Sequence, residues 1–303
     1  MERKDFTIES YADGLEIPVV VMVPDSQIRG VVQFAHGMAE HKERYFDFMK
    51  YLAAAGFVAV IHDHRGHGVS LRSTDDLGFF YDDTGVAVVE DLHQVAMAVQ
   101  ELFPQKPYIL FGHSMGSLVA RCYAKKYDSH LDKLILCGPP AKNPLVPVAL
   151  WLTRQLERQK GSRHRSKLLR SLVLGPYDKA ADKEVPNSWI CCNREVVEEY
   201  NTNQLCGFNF TINGYLNLFS LLQETYSKKN WLLSKPDLPI LFVAGALDPV
   251  IGGEKGWQES LDFMGQMGYT QIHAQLYQGL RHEILNEENR SLIFSDLLKW
   301  MMD

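Results

Sequence analysis

Tyr108-Ile109-Leu110-Phe111-Gly112-His113-Ser114-Met115-Gly116-Ser117-Leu118-Val119-Ala120-Arg121 is the stretch on which the fold of this chain turns. Its first four residues form a short apolar run, and the residues after Ser117 carry helical spacing as far as Tyr127. A strand that reverses into a helix in one tight turn holds its central residue in a strained conformation, with the side chain exposed at the tip. Glycines two positions to either side, here Gly112 and Gly116, let the strand and helix backbones approach closely. Gly-x-Ser-x-Gly in this setting reads as a nucleophile elbow with Ser114 at its tip.

Short apolar runs of the same kind flank it: Val31–Ala35, Phe57–Ile61, Leu134–Cys137, Ile240–Ala244 and Ile272–Tyr277. Such runs fit strands buried on both faces of a parallel sheet. Helical periodicity falls at about 43–55, 82–103, 115–127, 255–267 and 289–302. Two alternating runs, Thr7–Tyr11 and Leu15–Val23, joined through Asp13-Gly14, predict an antiparallel hairpin at the start. The expected fold class is α/β, a mostly parallel central sheet flanked by helices. The alternation stops at Gly138-Pro139-Pro140 and resumes at Pro236, so 1–140 and 236–303 read as two parts of one core. Residues 141–235 then form a mainly helical cap.

A serine hydroxyl needs a general base, itself oriented by an acid, and after an elbow of this type the acid precedes the histidine along the chain. The run Ile240–Ala244 leads into Gly245-Ala246-Leu247-Asp248, and Ile272–Tyr277 leads into Gln278-Gly279-Leu280-Arg281-His282. Ser114, Asp248 and His282 are therefore the expected catalytic residues. An oxyanion needs about two backbone N–H donors. Met115 follows the nucleophile and supplies one. Met38, in His36-Gly37-Met38-Ala39-Glu40-His41 after the third strand, is expected to supply the other. His36, Gly37 and His113, with Leu205 and Phe208 of the insert, are expected to border the substrate.

HGMAEH, DHRGHGVS (Asp63–Ser70), GHSMG, GALDPV and GLRHEILNE stand in an order that resembles α/β-hydrolases of the monoacylglycerol lipase and lysophospholipase group. The resemblance covers essentially the whole core, and the stretch Trp189–Leu222 looks like the caps of bacterial members. It implies the α/β-hydrolase fold and hydrolysis of a fatty-acyl ester through an acyl-enzyme on Ser114, without a cofactor. An amidase or aminopeptidase, an acyltransferase and a non-catalytic binding protein of the same fold are the alternatives. His62-Asp63-His64-Arg65-Gly66-His67 resembles a zinc-hydrolase motif but has Gly66 where the carboxylate belongs, so no metal is expected. Asp63 and Arg65 are expected to shape the loop beneath the active site.

The chain has 303 residues, 46% hydrophobic and 22% charged, which is enough apolar surface for a packed core. A net charge of −6 argues against nucleic acid as a partner. Five cysteines without metal-ligand spacing, and a polar MERKDFTIES start, point to a reducing cytoplasm. Residues 154–170 run against the average, with seven basic residues and one Glu157. A cluster of +6 next to the apolar run Leu145–Leu152 suggests peripheral contact with anionic membrane.

Overall fold

The computed structural model describes residues 1–180, 182 and 184–303. Eight strands form one sheet: β1 (Glu2–Glu9), β2 (Glu16–Val23), β3 (Gly30–Ala35), β4 (Phe57–His62), β5 (Tyr108–His113), β6 (Lys133–Cys137), β7 (Ile240–Gly245) and β8 (Ile272–Tyr277). Their spatial order is β1-β2-β4-β3-β5-β6-β7-β8, with the first two pairings antiparallel and the rest parallel. β3 and β5 lie at the centre, where Phe34 pairs with Ile61 on one side and Phe111 on the other.

Alternation along β5 builds the two layers. Tyr108 and Leu110 join the core formed with α2 (Val86–Leu102), α3 (Met115–Tyr127) and α8 (Gly253–Gln266). Ile109 and Phe111 face α1 (Phe46–Ala54) and α9 (Arg290–Met302). β8 departs from the reading of its apolar run as a strand buried on both faces. It is the edge strand, with His273, Ala274 and Gln275 exposed, because among the described residues no strand pairs beyond it. The hairpin strand also sits earlier than the run Thr7–Tyr11, leaving Ser10–Gly14 as the turn with Gly14 at φ 70°. α2 starts at Val86 rather than near 82, because the Asp82 carboxylate accepts the Thr84 hydroxyl and the Ala87 N–H and so forms the turn into the helix.

Four helices stand between β6 and β7: α4 (Val146–Lys160), α5 (Lys167–Asp178), α6 (Arg194–Thr202) and α7 (Ile212–Thr225), with no strand among the described residues. α7 fixes the insertion to the loop before α2. Its buried Asn213 and Asn217, one helical turn apart, accept the N–H groups of Phe80 and Gly85 at 2.7 and 2.8 Å. Each side-chain amide also donates to the Asp82 carbonyl. No helix among the described residues is long and apolar enough to cross a membrane.

Candidate active site

Ser114 stands between β5 and α3 at φ 52°, ψ −119°, a region that L-residues rarely occupy. Two bonds hold this strain, Ser114 N–H to the Cys137 carbonyl at 2.9 Å and Ser117 N–H to the Ser114 carbonyl at 2.9 Å. The flanking glycines are required sterically. A Cβ on Gly116 would overlap the carbonyls of Ala35 and His36, and one on Gly112 would lie 2.8 Å from Ala120 Cβ. The helix thus starts directly against the end of β3, which brings the loop after β3 beside the serine.

Asp248 follows β7 and His282 follows β8; both are buried. His282 Nδ1 lies 2.8 Å from Asp248 Oδ2, while Asp248 Oδ1 accepts the Val250 N–H at 2.8 Å. A carboxylate only accepts, so Nδ1 carries the proton and Nε2 keeps its lone pair as a base. Gly138, at φ 54°, lies beneath the pair: a Cβ there would come within 2.9 Å of the His282 ring. Ser114 and His282 line one cavity of about 630 Å³, together with Gly37, Met38, His113, Met115 and Phe208. The amides of Met38 and Met115 meet no acceptor among the described residues.

His36 and Leu205 do not line that cavity. His36 is wholly buried beneath the loop, where Nδ1 donates to the Gly37 carbonyl at 2.8 Å and Nε2 accepts the His64 N–H at 2.9 Å. Leu205 sits on a turn of the insertion, its N–H held by the Asn203 side chain. The HDHRGH stretch is structural in this arrangement. Asp63 binds the Lys42 amide, the Lys42 ammonium and the Val69 amide. Arg65 is clamped by Asp91 at 2.7 Å and by the Phe80 carbonyl at 2.9 Å. No group of three metal-binding side chains converges among the described residues.

A charged network missed by sequence reasoning borders the triad candidates. Glu40 accepts from Gly37 N–H, from Tyr45 Oη at 2.8 Å and from Arg44 at 2.9 Å, and lies 3.2 Å from His113 Nδ1. Burial alone would raise the Glu40 pKa, but the His113 hydrogen bond and Arg44 hold it well below the usual carboxylate range. Burial likewise opposes a charge on His113, yet the Glu40 hydrogen bond raises its pKa above the ordinary histidine value. Arg44 also makes a two-pronged bond to Glu283, the residue after His282. From the insertion, Trp189 lays its ring 5.4 Å from that of His282. Glu40 lies inside the HGMAEH motif, which was its only sequence signal. Glu283 stands in GLRHEILNE and Trp189 opens the stretch Trp189–Leu222, but neither stretch indicates their partners, which are far away along the chain.

This sheet order, with a serine elbow on the fifth strand and an Asp–His pair after the seventh and eighth, defines a hydrolytic enzyme of the α/β-hydrolase fold. More narrowly, the chain belongs to the family described as serine aminopeptidase, S33, which matches residues 26–289. It is 27% identical to a monoacylglycerol lipase of Mycolicibacterium smegmatis over 95% of this chain and 94% of that one. Human monoglyceride lipase is 24% identical, over 96% and 88% respectively. Among solved structures, a thermostable carboxyl esterase from Bacillus coagulans in complex with glycerol superposes with a TM-score of 0.88 at 27% identity, covering 99% of this chain and 98% of that one.

Proposed function

We propose that the protein is a serine carboxylesterase acting on monoacylglycerol- or lysophospholipid-like esters, with residues 141–235 as its cap. The observation that carries this reading is the strained Ser114 opening into the same largely apolar cavity as an Asp-bound histidine. Ser114 Oγ attacks the ester carbonyl while His282 Nε2 takes its proton, and His282 then delivers that proton to the leaving alcohol. Asp248 fixes the imidazole tautomer and stabilises the imidazolium. The Met38 and Met115 amides receive the oxyanion, each such donor being worth a factor of about 10²–10³ in rate. Water activated by His282 then releases the acid. Leu118, Val148, Leu152, Phe219 and Leu222 give the cavity an apolar side for an acyl chain, while Tyr200 and Asn187 give a polar rim for a head group.

The family description raises a peptide-cleaving alternative. An aminopeptidase needs an uncommitted carboxylate to hold the substrate ammonium. The two carboxylates lining this cavity, Glu40 and Glu283, are both paired with Arg44. The lining therefore favours an ester with an apolar tail. A turnover series of monoacylglycerols, lysophospholipids, short aryl esters and aminoacyl amides on purified protein tests this. Preference for the amides would overturn the substrate class. Failure of a fluorophosphonate to label wild type, or equal labelling of Ser114→Ala, would overturn the nucleophile.

A further inference from the structure

The backbone to either side of His282, at Arg281 and at Glu283, is held by partners that lead to the cap segment Ser188–Cys192. On the far side, Glu283 N–H donates directly to the Ile190 carbonyl at 2.7 Å. On the near side, Arg281 N–H donates to Glu287 Oε1 at 3.1 Å, and the same carboxylate accepts the Cys192 N–H at 3.1 Å. Glu287 is 2% exposed, makes no ion pair among the described residues, and accepts both of these amides. Two further links run in parallel: the Arg281 guanidinium to the Ser188 carbonyl, and Cys192 Sγ to the Gly279 carbonyl at 3.3 Å. Between these links, Trp189 faces the His282 ring.

We propose that Glu287 is a positioning residue for the reaction, a buried carboxylate that joins the backbone carrying His282 to the cap and so sets where the base points. The proposal rests on the triad reading above. Glu287 does not itself line the cavity: it acts through the two segments it joins, one carrying His282 and the other placing Trp189 and Ile190 in the cavity wall. A positioning role for the base is the one that lowers kcat more than it raises KM. Displacing a catalytic group by about 1 Å costs up to about 10²-fold in rate. Glu287→Gln keeps the length of the side chain but replaces one acceptor with an NH₂ that confronts an N–H donor.

The test compares wild type with Glu287→Gln on p-nitrophenyl butyrate and in the second-order rate of labelling by a small fluorophosphonate. The expected result is a kcat about tenfold or more lower, KM within about twofold of wild type, and labelling slowed by the same factor as kcat. A folded variant with unchanged kcat and labelling rate overturns the proposal, as does a loss confined to KM. Should Glu287→Gln not fold, Glu287→Asp, which keeps a carboxylate able to serve one amide at a time, is measured in the same way; a folded Asp variant is expected to show the same kcat-selective loss in milder form. Failure of both to fold makes Glu287 a purely structural residue and also overturns it. Absence of labelling in wild type would instead refute Ser114 as the nucleophile, so the two readings fail separately.

Discussion

Asp248 has two oxygens with different partners, and the division predicts what its loss does. Oδ1 is occupied by the Val250 amide and Oδ2 by His282. In Asp248→Asn the amide group has to choose: presenting its oxygen to Val250 turns an NH₂ toward Nδ1, which forces the imidazole into the wrong tautomer. Turnover is expected to fall by about 10⁴ with the fold intact, checked by kcat alongside a melting curve. Gly116 predicts the opposite pattern. Its missing side chain is what allows α3 to abut the carbonyls of Ala35 and His36. Gly116→Ala is expected to lower stability by about 2–3 kcal/mol as well as activity, read from urea midpoints. Both positions were legible in the sequence, because the elbow and the residues after each strand are local signals. Glu40, Glu283 and Glu287 were legible only as acidic residues inside the HGMAEH and GLRHEILNE motifs, without a role. Their roles depend on Arg44, Arg281 and Cys192, and a pairing across 239 residues, such as Arg44 with Glu283, leaves no mark in local spacing.

At the scale of elements, the end of β4 and the loops after β3 and β4 pack together four histidines with a latent acid sensitivity. His36, His62, His64 and His67 are wholly buried, their rings 4.4–5.3 Å apart along the chain of contacts from His67 through His36 and His64 to His62. The ring nitrogens of His62 and His64 have no partner among the described residues. Burial, reinforced by the neighbouring imidazoles, pushes His62 and His67 down to about 3 and holds His64 well below its ordinary value. These groups stay neutral when folded but take up protons when unfolded once pH drops below about 6.5. Stability is therefore complete above about pH 6.5 and drains away as pH falls toward 3, by about 1.4 kcal/mol per pH unit for each histidine. Unfolding free energies from urea titrations at pH 7 and pH 5 are expected to differ by about 4 kcal/mol from His62 and His67 alone. A flat midpoint across that range would refute their neutrality in the folded state. Read from sequence, the stretch His62–His67 is structural and His36 stands at the substrate, whereas burial of all four rings follows only from where β3 and β4 pair. The exposed face of β8 was hidden for the same reason, since a strand's own residues do not say whether a neighbour lies beyond it.

For the whole molecule, the net charge of −6 conceals a basic cap segment, and the structure divides that segment in two. Arg163 pairs with Asp76, Arg165 bonds the Asn209, Asp75 and Leu77 carbonyls, and Arg170 pairs with Asp178. These three residues hold the insertion between β6 and β7 together and to the segment Asp75–Leu77. Arg154, Arg158, Lys160 and Lys167 are exposed and make no ion pair among the described residues. They adjoin an apolar rim of Leu145, Val148, Trp151, Leu168 and Leu172, each at least half exposed, and three of these also line the cavity mouth. An apolar rim at the mouth with free cations beside it suits a surface that meets an anionic lipid layer with the cavity facing down. Trp151 is 62% exposed and lies outside the cavity, so its replacement separates docking from chemistry. Trp151→Ser combined with Lys160→Ser is expected to leave turnover of a soluble short-chain ester unchanged. The same variant should lose about tenfold in binding to vesicles containing anionic phospholipid, measured by sedimentation, with wild-type binding weakening as salt rises. Wild-type binding that ignores salt, or a variant that sediments as well as wild type, would assign the remaining charge to solubility alone and leave substrate delivery to diffusion of single molecules.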